Sequence, residues 1–335
     1  MFGKIIGTGS YVPERVVTNT CLEQYVDTND EWIRERTGIA RRHVMEQETT
    51  KDMAVLAAKR ALEMAAVAPE EIDMIIVSTL SSDIALPSTA CYVQDKLNAK
   101  NAVCFDLNAA CTGFILAYNT VQTYMAAGFC KTALIIGAEG LSKLVDWSDR
   151  GTCILFADGA GAAIVRADET AVFDTVMHAD GGQGDALTMK TGFAERVRGI
   201  DVEPGVEVLE ANQNILNEKD TYIGMDGQAV FRFAVKQVPT CILELMEKCG
   251  IKEEDIDLFL LHQANERIVK SIVKRIKTSM DKVPMNLQEY GNTSSASVPI
   301  LLDEMVRQEK LKKGDRVIMA GFGAGLTWCA SYLEF

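Results

Sequence analysis

Cys111 sits in DLNAACTGF (106–114), after a short apolar run and before a segment in which Phe114, Tyr118, Val121 and Met125 repeat at helical spacing. It therefore falls where a strand hands over to a helix. Unpaired N–H groups and the helix dipole favour an anion there, which predicts a thiol of lowered pKa and a thiolate nucleophile. A cysteine is more often a small core residue, and the helix start is what sets this one apart. The small residues Ala109, Ala110 and Gly113 leave room for a bulky substrate, and the Cys111 N–H is available to an oxyanion hole. Two polar residues stand at comparable corners. The apolar run LFLL ends in HQAN, placing His262 at the C-terminal end of a strand, where sites in α/β sheets gather. YGNTSSASVP (290–299) offers Asn292 at a second strand–helix corner. The three residues make a nucleophile with two hydrogen-bonding partners.

An internal repeat supplies the elements that must position them. PEEIDMIIVST (69–79) and KEEDIDLFLLHQ (252–263) share an acidic start, an Ile-Asp step and an apolar run, with Glu71 and Glu254 183 positions apart. KTALIIGAEG (131–140) resembles GDRVIMAGFG (314–323), with Gly137 and Ala320 again 183 apart. Cys111 and Asn292 are separated by 181, so the repeat predicts equivalent corners for them. TKDMAVLAAKRALEMAAV is a helix rich in Ala, Leu and Met. MIIVST and ALIIGA are strands of a sheet covered on both faces. Gly128 is a stop for the helix after Cys111. The expected fold is α/β, with two similar halves, 1–165 carrying the cysteine and 166–335 carrying the histidine and asparagine. The polar stretch 196–220 reads as a long excursion, a candidate flap.

The 335 residues, 48% hydrophobic and 24% charged, describe an ordinary globular protein with a sizeable core. No stretch approaches 18 uninterrupted apolar residues, and the start lacks a cleavable signal-peptide layout, so a cytoplasmic address without membrane contact is expected. Nine cysteines form no C-x-x-C pair, and His43, His178 and His262 form no cluster with them. Reduced thiols and no metal site are expected. A net charge of −13 argues against a general nucleic-acid-binding surface. Against that background, Arg267, Lys270, Lys274 and Lys277 fall 3, 4 and 3 apart on one helical stripe, opposite Ile268, Ile272 and Ile276. Arg232 and Lys236 form another i,i+4 basic pair. Basic residues concentrated near the site suit an acidic partner.

The chain resembles the thiolase superfamily and, within it, the β-ketoacyl-acyl-carrier-protein synthase III family, which starts fatty-acid synthesis. The motifs run in the family's order over nearly the whole length: KIIGTGSYVPERVVTN, DTNDEWIRERTGI, AACTGF, DRGTCILFADGAGAA, HQANERI, YGNTSSASVP and GFGAGLTW. Two features depart from the family: Thr112 stands where Ala or Ser is usual, and the 196–220 segment is longer. The resemblance implies a layered α-β-α-β-α fold and a homodimer. It implies decarboxylative Claisen condensation of an acyl-CoA primer with malonyl-acyl carrier protein through an acyl-Cys111 intermediate, with no cofactor. His262 and Asn292 would stabilise the enolate, and the N–H groups of Cys111 and Ala324 the tetrahedral oxyanion. Trp32 and Arg150 fall where the family sandwiches the CoA adenine, Arg36 where it pairs a phosphate, and Asn265 where it contacts pantetheine. Leu86 occupies a loop that reaches the partner subunit's acyl pocket. Arg232, Lys236 and the 267–277 stripe fall where acyl carrier protein docks.

Rival readings are weaker. A papain-like hydrolase also uses Cys, His and Asn, but the doubled α/β pattern opposes it. GTGS, DGAGAA and GFGAG give no dinucleotide-binding fingerprint. A thiolase would carry a second reactive cysteine in the C-terminal glycine motif, whereas Cys329 lies beyond it and is expected in the core. Hydroxymethylglutaryl-CoA synthases, condensing enzymes of secondary metabolism and an inactive carrier-protein-binding relative complete the alternatives.

Overall fold

A computed structural model describes residues 1–191 and 221–335; the 196–220 excursion lies outside the described residues. The chain begins with β1 (Phe2–Tyr11) and a small antiparallel pair, β2 (Val16–Thr18) and β3 (Arg41–His43), enclosing helices α1 (Asn19–Leu22) and α2 (Asp30–Thr37). There follow α3 (Thr50–Ala65), β4 (Met74–Ser78), α4 (Thr89–Leu97), β5 (Val103–Leu107), α5 (Gly113–Ala126), β6 (Thr132–Gly140), α6 (Arg150–Cys153) and β7 (Asp158–Asp168). A second series starts with β8 (Phe173–Ala179), the short pair β9 (Leu187–Thr188) and β10 (Gly224–Met225), and α7 (Gly227–Cys249). It closes with β11 (Leu258–Leu261), α8 (Glu266–Ile276), α9 (Leu287–Tyr290), α10 (Ser297–Arg307), β12 (Arg316–Gly323) and β13 (Thr327–Glu334).

One sheet has the order β1-β7-β6-β4-β5 and the other β11-β12-β13-β8. Read in reverse, the second repeats the first, with β8, β13, β12 and β11 standing for β1, β7, β6 and β4. Directions repeat as well: the first two pairings of each series are antiparallel and the third is parallel. The register repeats too. Ile75 pairs with Leu134 and Leu258 with Val317, each 183 positions from its counterpart. A counterpart of β5 is absent among the described residues, and the segment before α10 makes only a single parallel bridge, Phe156 with Asn292.

Both sheets are covered on both faces, which is why their strands read as unbroken apolar runs. On β6, Ala133 and Ile135 face the central layer built from α5 and α10, while Leu134, Ile136 and Ala138 face α3 and α4. On β12, Val317 and Met319 face the same central layer, and Ile318, Ala320 and Phe322 face α7 and α8. The layers are therefore α3/α4, sheet, α5/α10, sheet, α7/α8. The helical stripe read for the segment after Cys111 holds, with Phe114, Tyr118 and Val121 fully buried and Met125 nearly so. Cys329 is a core residue, and all nine cysteines are free. Among the described residues no helix is long and apolar enough to cross a membrane.

Candidate active site

The two central helices start in matching ways. Ala110 has φ +46° and Ser294 φ +50°, each opening a 3-10 turn (Ala110–Thr112 and Ser294–Ala296) that runs into α5 or α10. These elbows align at an offset of 184, so the counterpart of Cys111 is Ser295. The expectation that Asn292 is that counterpart is corrected: Asn292 lies three residues before Ser295 and pairs with Phe156. The elbows are tightly wedged. A Cβ on Gly113 would stand 1.8 Å from Ser78 Oγ, and one on Gly323 would stand 2.7 Å from the Cys111 backbone nitrogen. Glycine at 323 thus lets the β12–β13 turn, with Ala324, lie directly against the nucleophile's backbone.

A cavity of about 790 Å³ brings together Cys111, His262, Asn292, Trp32, Arg36, Arg150 and Asn265. A smaller one of about 60 Å³ is lined by Cys111, Ala324 and Ser294 together with apolar residues including Leu80, Leu141, Phe156, Met189 and Ile223.

His262 follows β11, and its N–H bonds to Ala320 O at 2.8 Å, an extension of the strand pairing. The ring is buried against Phe322, edge to face at 5.4 Å. Nδ1 is 2.9 Å from Ser297 Oγ, an oxygen that also accepts the Gln263 N–H at 3.2 Å. Ser297 can then donate its own hydrogen to Nδ1, an arrangement that puts the ring proton on Nε2. Nε2 is buried without a partner. Burial alone lowers the imidazole pKa to about 3, so the ring is neutral. Gln263 Oε1 accepts the N–H groups of Asn286 and Leu287, fixing the α9 start from which the chain reaches Asn292. Asn292 Oδ1 accepts the Ser294 N–H at 2.9 Å, which leaves Nδ2 as the end available to a ligand. Two neutral donors thus serve one cavity with the thiol.

The thiol itself differs from expectation. Its pKa is pushed up to about 12, first by burial and then by the Glu139 charge, with the Ser294 hydroxyl and its own N–H opposing. The half-charge of a helix terminus is smaller than the cost of burying a thiolate out of water. Thr112, the departure beside it, has a place: Oγ1 donates to Ala109 O at 2.7 Å and lies 2.8 Å from Thr327 Oγ1. Thr327 Oγ1 is in turn 3.4 Å from Ala324 O. The cysteine elbow and the Ala324 turn are tied together by two hydroxyls.

At the outer end, the Arg150 guanidinium stacks over the Trp32 ring at 4.8 Å and Arg36 lies 5.5 Å from the same ring. A base held between Trp32 and Arg150 requires that pair to open. Asn265 Nδ2 donates to Arg36 O at 3.0 Å, and its Oδ1 caps α8 at the Arg267 N–H. Asn265 thereby joins the helix bearing Trp32 and Arg36 to α8. Leu86 is 88% exposed and lines neither cavity. Arg267, Lys270 and Lys274 are exposed along α8 and Lys277 is its left-handed cap, while Arg232 and Lys236 are exposed on the neighbouring α7. Ile268, Ile272 and Ile276 form the buried face. Lys270 is paired with Glu266 at 2.8 Å. Phe231 and Ile268, from the same two helices, line the large cavity, and the Arg267 guanidinium lies 5.7 Å from the Phe231 ring.

Sequence reasoning missed Ser297, Thr327, Ser294 and Glu139. Only Glu139 carried a local signal, an acid inside an apolar strand. It is fully buried, accepts from Ser81 Oγ at 2.6 Å and Ser295 Oγ at 2.7 Å, and burial raises its pKa to about 7 against those hydroxyls.

A doubled α/β unit whose central helices begin at paired elbows is the thiolase-like fold, and a cysteine elbow facing two neutral donors places the chain among its condensing enzymes. Known proteins narrow this further. Residues 105–181 match the family described as 3-oxoacyl-[acyl-carrier-protein (ACP)] synthase III, and residues 246–335 its C-terminal part. The chain is 46% identical over 333 residues to the beta-ketoacyl-[acyl-carrier-protein] synthase III of Clostridium acetobutylicum, covering 99% of this chain and 98% of that protein. It superposes on the crystal structure of 3-oxoacyl-[acyl-carrier-protein] synthase III from Aquifex aeolicus with a TM-score of 0.89 and 41% identity, over 99% and 100% of the two chains. The priming β-ketosynthase of the R1128 polyketide biosynthetic pathway gives 0.90 at 34% identity, over 100% and 96%. The chain belongs to the β-ketoacyl-[acyl-carrier-protein] synthase III family, acyltransferases of the condensing type.

Proposed function

We propose that the chain joins an acyl-CoA primer to malonyl-acyl carrier protein to open type II fatty-acid synthesis, with Cys111, His262 and Asn292 as its catalytic residues. The Cys111 thiolate attacks the primer's thioester carbonyl, and the oxyanion is met by the N–H groups of Cys111 and Ala324. Collapse expels CoA thiolate, which takes up a proton, and leaves acyl-Cys111. Malonyl-acyl carrier protein then loses CO₂, and the electrons of the broken C–C bond form a thioester enolate. Its oxygen is held by His262 Nε2–H and Asn292 Nδ2–H. The enolate carbon attacks the acyl group, and collapse returns the Cys111 thiolate with the β-ketoacyl product on the carrier. The observation that carries this reading is the buried, unpartnered Nε2 of His262 sharing one cavity with Cys111 and Asn292.

Trp32, Arg150 and Arg36 hold the adenine and a phosphate at the cavity's outer end, and Asn265 keeps them in place beside the pantetheine path. The small apolar cavity beside Cys111 suits a short acyl group, acetyl or a short branched chain. The exposed Leu86 supports a homodimer in which that side chain enters the partner's acyl pocket. The basic stripe of α8, with Arg232 and Lys236, docks the acidic carrier protein. The half 1–165 supplies Cys111 and the half 166–335 supplies His262 and Asn292 to one active site, and the enzyme works in the cytoplasm without a cofactor.

Intact-mass measurement after incubation with a panel of acyl-CoAs tests this. One acyl adduct is expected on the native protein and none on Cys111→Ala, and malonyl-acyl carrier protein should discharge the adduct as a β-ketoacyl product. An adduct that persists in Cys111→Ala, or none with any primer, overturns the assignment.

A further inference from the structure

The described residues hold a side-chain oxygen beside the nucleophile that this mechanism does not use. Ser294 is 1% exposed, and its Oγ has no hydrogen-bond partner. Burying an unpaired hydroxyl destabilises the fold, because its bonds to water are given up without replacement. The residue also holds a left-handed backbone, φ +50°, which a non-glycine residue adopts at a further cost. An alanine would carry the backbone cost without the hydroxyl's, and Ala110 does so at the matching elbow, 184 positions earlier. The penalty that alanine would escape, the unpaired hydroxyl, points to a use for the oxygen. Its surroundings show which. Ser294 and Cys111 line the same small cavity, the hydroxyl opposes the effect of burial on both Cys111 and Glu139, and the rest of that lining is mainly apolar. The Ser294 N–H is already held by Asn292 Oδ1, so the hydroxyl alone can change partner.

We propose that Ser294 Oγ–H, unpaired while Cys111 is a thiol, donates to Sγ once the sulfur ionises and so stabilises the thiolate directly. A thiol sulfur is a weak acceptor and a thiolate a strong one, so the bond gains strength with the charge it serves. Ser294 keeps its proton throughout, and only its acceptor changes. The titratable groups facing the thiol are Glu139, whose charge opposes ionisation, and His262, which is neutral and supplies no compensating charge. A short-range donor is therefore the contribution the site requires. This rests on reading Cys111 as the nucleophile, but its test reads ionisation rather than condensation.

The test follows alkylation of Cys111 by iodoacetamide across pH 6–11, quantified on the Cys111 peptide because Cys21 and Cys91 are exposed and also react. Ser294→Ala and Ser294→Gly are compared with the native protein. Glycine suits the positive φ and removes the hydroxyl without backbone strain. Both variants should alkylate about tenfold more slowly at pH 8, with the profile moved to higher pH. Native profiles in both, or slowing in the alanine variant only, would overturn the proposal. A native protein that alkylates normally yet forms no acyl adduct would instead sink the nucleophile assignment, leaving the Ser294 result readable.

Discussion

His262 Nδ1 and Ser297 Oγ stand 2.9 Å apart, with the same oxygen accepting the Gln263 N–H. Ser297 is the first residue of α10, the central helix that begins at the second elbow. The helix start therefore sets the orientation of the ring whose Nε2 is proposed to hold the enolate. Ser297→Ala should slow the condensation half-reaction about tenfold while leaving acyl transfer from acyl-CoA to Cys111 near its native rate. His262→Ala and Asn292→Ala should slow it about 10²–10³-fold, as removal of an oxyanion donor does. Single-turnover measurements of each half-reaction check this, and equal losses in both halves would contradict the assigned roles.

Thr112 and Thr327 join the cysteine elbow to the turn bearing Ala324. Removing that tie would loosen the proposed oxyanion hole without touching the CoA end of the cavity. Thr112→Val, close in shape, should lower kcat for acyl transfer about tenfold with little change in KM for acyl-CoA. Thr112→Ser should restore most of the rate. A valine variant of native rate would reduce the hydroxyl pair to packing.

Gly323 admits no side chain. Its Cβ would stand 2.7 Å from the Cys111 nitrogen and 3.3 Å from Cys111 Cα, both backbone atoms of a wedged elbow. Gly323→Ala should therefore cost at least about 10²-fold in acyl-enzyme formation, because one N–H donor moves relative to the other. Intact-mass kinetics with a single primer measure it.

Glu139 gives stability a pH dependence of definite sign. Its pKa is raised by burial from the ordinary 4.5 to about 7, so the folded protein holds this proton more tightly than the unfolded chain. Its contribution is full below pH 4.5 and is lost as pH rises to about 7. His262 acts oppositely: lowered by burial from 6.5 to about 3, it favours folding above pH 6.5 and loses that contribution as pH falls towards 3. Comparison with Glu139→Gln isolates the carboxyl, since His262 is common to both. Denaturant unfolding should show the native protein losing about 3 kcal/mol relative to the variant between pH 4.5 and 7, then tracking it above. A difference that stays flat across that window would mean Glu139 titrates as it does in water.

The basic face of α8 predicts a salt-sensitive partner step. Lys274→Glu and Arg267→Glu should each raise KM for malonyl-acyl carrier protein several-fold at low ionic strength, and less at high salt. KM for acyl-CoA should be unaffected, which separates docking from chemistry. Lys270→Glu should do less, because Glu266 already neutralises that position.

Features with a local or periodic signature were legible in the residues. The 183-residue offset is reproduced pair by pair in β4/β6 and β11/β12, because a repeat of buried strands keeps its register when both faces are covered. The apolar face of α8 and the stripe after Cys111 follow from helical periodicity alone. The motifs also brought seven site residues to one cavity. Tertiary structure decided what distance in the chain conceals. The offset at the elbows is 184, so Ser295, not Asn292, is the cysteine's counterpart, because left-handed turns at Ala110 and Ser294 fix the alignment there. Ser297 and Thr327 lie 35 and 215 residues from the groups they hold, beyond any local pattern. The helix start at Cys111 suggested an acidic thiol, whereas only packing reveals how fully the sulfur is cut off from water, and that burial raises its pKa. Sequence thus determined which residues meet, and the three-dimensional enclosure determined the protonation states in which they do so.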